Sequence, residues 1–151
     1  MKNAIIGVLA IVAMCNTGCN KETVDSEQTI KDYIAANNLS AERTDDGLYY
    51  IITKDGVGVH PDISSKVTVH YKGYLLNGNI FDSSYDRGKT STFPLTGVIE
   101  GWQLGIPLLK QGGAGTLIIP AELAYGSNPP SGSIIGKNEV LAFDIELFEV
   151  Q

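Results

Sequence analysis

The stretch Val67–Gly88, VTVHYKGYLLNGNIFDSSYDRG, decides how this chain of 151 residues folds. Its first half alternates, with Val67 and Tyr71 on one face of a strand and polar residues such as threonine and histidine on the other. The dipeptide Asn77-Gly78 is the strongest short hairpin signal that a sequence can carry. The stretch therefore predicts two antiparallel strands, and it ends in a cluster of aromatic, acidic and basic residues.

Three further segments predict strands, namely Leu48–Thr53, Gly115–Pro120 and Asn138–Val150. Between them, Val98–Leu109 has the apolar spacing of a helix of about two turns, and Pro107 interrupts it. Several antiparallel strands with one short helix predict an α+β fold. The strands cannot bury an apolar face alone, so we expect a twisted sheet that wraps around the helix.

The beginning of the chain predicts a signal peptide over residues 1–19. Lys2 supplies a short positive region, and Ala4–Ala13 is an apolar run that is shorter than the ~20 residues a membrane-spanning helix needs. Both cysteines of the chain, Cys15 and Cys19, follow this run. The remaining residues therefore have no disulfide framework.

The end of this segment resembles a bacterial lipoprotein signal, in which a cysteine becomes lipidated. The small Gly18 before Cys19 suits the cleavage position better than Met14 before Cys15 does, so Cys19 is the predicted lipidation site. The resemblance implies an exported protein that a lipid anchor alone holds at the membrane, facing the periplasm or the cell surface. A plain signal peptide with incidental cysteines is the alternative.

Residues 20–46 predict a polar tether followed by a short helix. Asp25 or Ser26 is expected to cap this helix, and Gln28 stands three residues after Asp25, as in a capping box. Apolar residues from Ile30 onward recur at helical spacing. The helix is expected either to lie against the main domain or to act as a spacer.

The composition excludes several classes of function. A net charge of −6 without a cluster of lysines and arginines argues against a nucleic-acid-binding surface. His60 and His70 lack carboxylates at ligand spacing for a metal site; His60 is expected on a loop surface, and His70 is expected to be solvent-facing or a hydrogen-bonded structural residue. The glycines of Gly112–Gly115 lack the lysine of a phosphate loop and predict a tight turn. No cofactor or metal is expected.

Four separated segments together resemble the FKBP-type peptidyl-prolyl cis–trans isomerases. They are Val67–Gly88, Val98–Trp102, Ala124–Gly126 and Val140–Asp144. The resemblance covers Leu48–Val150 and implies an antiparallel half-barrel around one short helix, forming a domain over residues 47–151. It also implies the activity of a prolyl isomerase that assists the folding of exported proteins.

The resemblance implies a set of site residues. Trp102 is expected to form the floor of an apolar cavity, and its walls are expected to be Tyr71, Phe81 and Phe143. Each wall residue, taken alone, would be interpreted as a residue that packs in the core. Asp82 is expected beside the Tyr71 hydroxyl and Arg87. The remaining expected contacts to substrate are the Tyr125 hydroxyl, the backbone of Val98 and Ile99, and the side chain of Ile135.

Two departures from the family pattern support an alternative function. Ser91 or Thr92 stands where the family often has an aromatic pocket residue, while Phe93 is expected to belong to the core strand and not to the cavity. The loop Ser127–Lys137 lacks the usual Ile-Pro-Pro ending. The expected partners are proline-containing polypeptides and, by resemblance, macrolide inhibitors. The alternative is a non-catalytic surface lipoprotein that binds proline-containing segments in the same groove.

Overall fold

The computed structural model describes residues 25–151, so the signal peptide, Cys15 and Cys19 lie outside the described residues. The helices and strands are α1 (Ser26–Ala36), β1 (Glu42–Arg43), β2 (Tyr49–Lys54), β3 (Lys66–Leu75), β4 (Ile80–Ser83), β5 (Ser91–Pro94), α2 (Glu100–Gly105), β6 (Ala114–Ile119) and β7 (Leu141–Val150). Three 3₁₀ turns occupy Leu95–Gly97, Ile106–Leu108 and Ala121–Leu123. None of the helices in the described part combines the length and apolar character of a membrane span.

The seven strands form one antiparallel sheet in the order β1-β2-β6-β7-β3-β4, and β5 also pairs with β3. β3 and β7 are both ten residues long and lie side by side at its centre. The helix α2 contacts β6 and covers one face of the sheet. The predicted α+β fold, with one short helix against the sheet and an N-terminal helix α1, is confirmed.

The alternation seen in the sequence produces the main core. In β3 every second residue from Val67 is buried, and in β7 the same holds from Leu141 to Leu147. These two faces meet Trp102 and Ile106, on α2 and in the 3₁₀ turn that follows it. Because Pro107 lies in that turn and has no amide hydrogen to continue an α-helix, α2 ends after six residues.

The hairpin between β3 and β4 has its left-handed residue at Gly78. The Gly78 N–H donates to the Leu75 carbonyl at 2.8 Å, and Gly78 has φ +90°, whereas Asn77 is not among the residues with positive φ. Leu76–Gly78 therefore forms a three-residue loop in which glycine takes the left-handed position. The predicted hairpin is present, with the special conformation at the glycine alone.

α1 packs against the sheet face opposite α2, so the structure shows the first of its two expected positions. Ile30 is fully buried with Ile118 of β6 and Val140. Asp25 caps the helix by accepting from the Glu27 N–H at 3.1 Å. The capping box is absent, because the Gln28 side chain donates to Asp32 at 2.8 Å on the exposed helix surface. The boundary between residues 46 and 47 stays a prediction, although β1 lies before it and pairs with β2.

Candidate functional site

A hollow of about 520 Å³ opens between the inner face of the sheet, α2 and the segment that follows β6. Its walls come from strands β3, β4, β5 and β7, and its rim comes from loops. The lining residues are Tyr71, Phe81, Asp82, Phe93, Gly97, Val98, Ile99, Trp102, Tyr125, Pro130, Ser133, Ile135 and Phe143. All but one of the site residues expected from the sequence are in this set, and Arg87 is the exception.

Trp102 lies at the base of the hollow. Its side chain is only 4% exposed, yet it borders the open space. The indole meets Tyr71, Phe93 and Phe143 edge to face, with centroids 5.1, 5.8 and 5.3 Å away, which is a favoured geometry for aromatic pairs. Within residues 25–151 its Nε1 has no hydrogen-bond partner. The indole thus completes the core and presents an apolar surface to the opening.

Two phenylalanines form a wall beside the indole. Phe81 of β4 and Phe143 of β7 pack edge to face at 5.4 Å, across strand β3, which lies between their strands. A Cβ on Gly73 of β3 would lie 2.6 Å from Phe81 and 2.7 Å from Phe143. The wall therefore requires glycine at this position, and a glycine inside a strand is the sequence signal for such a close approach.

A polar cluster borders this wall. Asp82 accepts hydrogen bonds from the Tyr71 hydroxyl and from Arg87 Nη1, and Arg87 Nη2 donates to the Tyr71 oxygen at 2.9 Å. Burial, together with the hydrogen bond to Asp82, raises the pKa of Tyr71 to about 12. Its hydrogen bond to Asp82 raises the pKa of Arg87. Tyr71 is therefore neutral and Arg87 charged near neutral pH.

Arg87 does not line the hollow itself, but it is hydrogen-bonded to Asp82 and Tyr71, which do. Its guanidinium lies 5.5 Å from the centre of the Tyr71 ring, and its side chain is 40% exposed. The predicted contact between Arg87 and substrate stays a prediction. The geometry places the arginine where it orients the Asp82 carboxylate and the Tyr71 hydroxyl.

The Tyr125 side chain stands at the rim, half-buried. Burial, with a smaller effect from the charge of Asp82, raises the pKa of its hydroxyl, and no hydrogen bond among the described residues contributes to that shift. A neutral phenol that is not engaged by its neighbours can donate to a carbonyl oxygen of a bound molecule. The predicted role of Tyr125 is consistent with this position.

Val98 and Ile99 border the hollow between a 3₁₀ turn and α2. Gln103, one turn into α2, donates from its side-chain amide to the Val98 carbonyl at 2.8 Å. The Gln103 backbone N–H donates to the Ile99 carbonyl at 3.2 Å. Gln103 therefore holds the segment that is expected to meet a ligand, and the sequence analysis missed this residue.

The loop Ser127–Lys137, whose shape the sequence left open, supplies the opposite rim. Ile135 is buried and lines the hollow together with Pro130 and Ser133. The Ile135 N–H donates to the Ser133 hydroxyl at 3.1 Å, which fixes the isoleucine at the rim. The structure thus places Ile135 at the hollow, and its contact with substrate stays a prediction.

Phe93 lies in a strand as expected, but the expectation that it would not belong to the cavity was wrong. Phe93 in β5 is only partly buried, lines the hollow and packs against both Trp102 and Tyr71. Thr92, its neighbour, instead forms a hydrogen bond across the strands with Thr68 at 3.0 Å. Because successive side chains of a strand point to opposite faces, Phe93 faces the hollow while Thr92 faces away from it, and the phenylalanine supplies an aromatic ring that Ser91 and Thr92 do not.

The two histidines lie outside the hollow. His70 Nδ1 is 2.8 Å from the buried Ser84 hydroxyl, which also accepts from the Tyr71 N–H at 2.8 Å. His70 is thus a hydrogen-bonded structural residue, one of its two expected roles. His60 is exposed, with Nδ1 2.9 Å from the Pro107 carbonyl. Residues 25–151 contain no group of three or more side chains that could hold a metal ion.

A second groove, of about 640 Å³, lies on the outer face of the sheet. Its aromatic members are Tyr85 and Phe148, and its acidic members are Asp144 and Glu146. Both carboxylates are already engaged, Asp144 by Thr116 at 2.9 Å and Glu146 by the Tyr85 hydroxyl at 2.5 Å. Although this groove is larger than the aromatic hollow, its carboxylates are already hydrogen-bonded and are therefore less available to bind a ligand.

Residues 58–148 match the family model described as FKBP-type peptidyl-prolyl cis-trans isomerase. FkpA of Aeromonas hydrophila, described as an isomerase of this type, is 40% identical over 134 residues, covering 87% of this chain and 49% of that protein. The isomerase Mip of Coxiella burnetii is 44% identical over 105 residues, covering 70% of this chain and 45% of Mip. The chain thus spans about half the length of these relatives.

Two solved structures share the fold. FkpA from Escherichia coli superposes with a TM-score of 0.75 at 40% identity, covering 84% of this chain and 60% of that one. A peptidyl-prolyl cis-trans isomerase from Pseudomonas syringae superposes with a TM-score of 0.74 at 29% identity. The match covers 89% of this chain and 99% of the Pseudomonas chain.

Proposed function

Because the chain belongs to the family of FKBP-type peptidyl-prolyl cis-trans isomerases, we propose that it catalyses rotation about X–Pro bonds in the hollow above Trp102. One observation carries the proposal. An open cavity is lined by four aromatic rings around a buried indole, with a neutral phenol at its rim. Such a site suits a proline ring and the imide bond before it.

The reaction needs an environment and no nucleophile. Rotation about an amide meets a barrier of ~18–20 kcal/mol because the twisted form loses resonance. The planar amide is the more charge-separated form, so water stabilises it more than the twisted form. Moving the bond into an aromatic cavity removes part of that ground-state stabilisation. Trp102, Phe81 and Phe143 supply the apolar surface for this step.

Hydrogen bonds and shape then favour the twisted form. The Tyr125 hydroxyl is positioned to donate to a carbonyl oxygen of the substrate, and the Val98–Ile99 backbone offers a second contact. Only interactions that are stronger in the transition state than in the ground state accelerate the reaction. Lowering the barrier by about 5 kcal/mol would give a rate gain of ~10³–10⁴.

Asp82, Tyr71 and Arg87 act in this proposal as a fixed dipole at the wall. Tyr71, with its pKa raised to about 12, keeps its proton near neutral pH. Arg87 keeps its own proton because the pKa of its guanidinium is raised. The cluster therefore orients charge toward the imide and transfers no proton.

The proposed substrates are proline-containing segments of exported proteins that are folding outside the cytoplasm. Uncatalysed X–Pro exchange takes tens to hundreds of seconds, so catalysis matters to a folding chain. The apolar rim favours an apolar residue before proline, and macrolide inhibitors are proposed ligands of the same hollow. The location rests on the apolar run Ala4–Ala13, and the lipid anchor on Cys19. Mass spectrometry of the mature N-terminus tests the anchor.

A protease-coupled assay with a short proline peptide tests the activity. Trp102→Ala removes the floor and Asp82→Val the wall dipole, and both variants are expected to lose at least about tenfold in kcat/KM. Phe148→Ala is the matched control, since it removes an exposed ring from the outer groove. A wild-type rate no faster than those of the two site variants would refute the proposed catalysis.

The alternative is a module that binds proline-containing segments without turnover. One of the two departures from the family pattern that supported it is removed by the structure. Phe93 lines the hollow, so the pocket aromatic that the sequence indicated as missing is present. Calorimetric binding of a proline peptide without any acceleration of its isomerisation would favour the binding module over the enzyme.

A further inference from the structure

Ser26, the first residue of α1, is buried although its helix does not use its side chain. Asp25 already caps α1. The Ser26 hydroxyl instead meets the 3₁₀ turn Ala121–Leu123, accepting from the Ala121 N–H at 3.4 Å and donating to Glu122 Oε1 at 3.3 Å. The serine is 4% exposed, so water does not compete freely for these contacts.

The turn at Ala121 needs an acceptor from elsewhere in the fold. The first N–H groups of a helical turn have no partner within that turn. Pro120 precedes Ala121 and provides no side-chain cap, and Ala121 itself is buried. A buried donor without an acceptor is costly. Ser26 therefore caps this turn from a different element, separated by 95 residues in the sequence.

The same turn fixes both neighbours of Tyr125. The Ala121 carbonyl accepts from the Ala124 N–H at 3.1 Å and from the Gly126 N–H at 2.8 Å. The Gly126 carbonyl in turn accepts from the Asn138 N–H at 2.7 Å, where the rim loop ends. Tyr125 thus stands between two residues whose backbone is tied to Ala121.

We propose that Ser26 is a positioning residue that sets the place of the Tyr125 hydroxyl at the rim by holding the amide of Ala121. The inference rests on the proposed function, because it assigns a distant residue to the same site. It extends the site to a helix outside residues 58–148, the region that matches the family model. The hydrogen bonds of the Ser26 hydroxyl go to Ala121 and Glu122, neither of which lines the hollow, so the serine acts through the turn.

The kinetic test is a cycle of variants in the full chain. Ser26→Ala removes the acceptor and is expected to lower kcat/KM for a proline peptide by about threefold to tenfold, near the lower end of the coupling found within one hydrogen-bond network. Ser26→Thr retains a hydroxyl and is expected to restore the rate. In a Tyr125→Phe background Ser26→Ala is expected to have no further effect. Gln28→Ala, on the exposed surface of α1, is the control and is expected to match the wild type.

Equal losses from Ser26→Ala in both backgrounds would overturn the proposal, because the serine would then act through general stability. A wild-type rate for Ser26→Ala would also overturn it. Amide hydrogen exchange separates this failure from failure of the proposed function. Ser26→Ala is expected to accelerate exchange at Ala121 and Gly126 while Gly113, whose N–H bonds elsewhere, keeps its rate. An inactive wild type in the peptide assay would refute the proposed function. Unchanged amide exchange at Gly126 in Ser26→Ala would refute this inference.

Discussion

Tyr71 belongs to the core and to the site at once. It is one of the buried alternating residues of β3, and its ring packs against Trp102. Its hydroxyl reaches the polar cluster of Asp82 and Arg87 at the wall. The alternation of the strand predicted the buried face, whereas the partners of the hydroxyl came only from resemblance to the family.

The raised pKa of Tyr71 predicts a loss of stability in alkali. Folding favours the neutral phenol, since burial raises its pKa from 10.0 to about 12. The contribution is complete below the unfolded pKa and is lost as the pH rises through the folded one. Urea denaturation at a series of pH values is expected to show that the free energy of unfolding falls as the pH rises between these two pKa values. The fall is expected to be smaller in Tyr71→Phe.

Other tyrosines contribute in the same direction, so the variant reduces the fall without removing it. Burial also raises the pKa of Tyr85 to about 12 and that of Tyr74 further. Parallel curves for the wild type and Tyr71→Phe across this pH range would contradict the account of the Tyr71 hydroxyl.

The close packing around Gly73 predicts that the wall formed by Phe81 and Phe143 has no room for a larger residue at this position. Its Cβ would stand closer than 3 Å to both Phe81 and Phe143. Gly73→Ala is therefore expected to destabilise the fold by about 1–3 kcal/mol, as overpacking does, and to lower kcat/KM by displacing the rings. Urea denaturation and the peptide assay measure the two effects. An alanine variant with wild-type stability and rate would show that the wall is not closely packed.

At the scale of elements, the sequence predicted what periodicity and turn chemistry control. The β3–β4 hairpin followed from alternation and from Asn77-Gly78, and the end of α2 followed from Pro107. The rim loop Ser127–Lys137 could not be predicted, because its shape depends on contacts such as Gly126 with Asn138 that no local pattern encodes. The side of β5 that faces the hollow was missed because the strand is only four residues long.

The helix α1 carries a prediction of its own. Ile30 is completely buried between α1 and the sheet, so Ile30→Ala is expected to cost about 2–5 kcal/mol of stability. Ile63→Ala, at a position that is 49% exposed, is the matched control and is expected to change stability by less than about 0.5 kcal/mol. Thermal or urea denaturation measures both. Equal effects of the two variants would mean that α1 does not pack on the domain.

At the scale of the whole molecule, the two faces of the sheet form two different apolar clusters. The inner face and α2 form the main core and leave the hollow open at one end. The outer face is covered in part by α1, which builds a second, smaller apolar cluster around Ile30 and Ile118. The fold could be predicted from the sequence because alternate residues of β7, from Leu141 to Leu147, are apolar and mark the face that is buried. The contact of α1 with the turn before Tyr125 could not, since it joins residues 95 apart.

The most direct test of the central claim is magnetisation-exchange NMR on a proline peptide with a small amount of the protein, since it detects turnover without a protease. The account predicts strong cis–trans exchange cross-peaks with the wild type, which weaken greatly with Trp102→Ala. Broadened peptide resonances without exchange cross-peaks would show binding without catalysis and would contradict the claim that the aromatic hollow lowers the barrier to rotation.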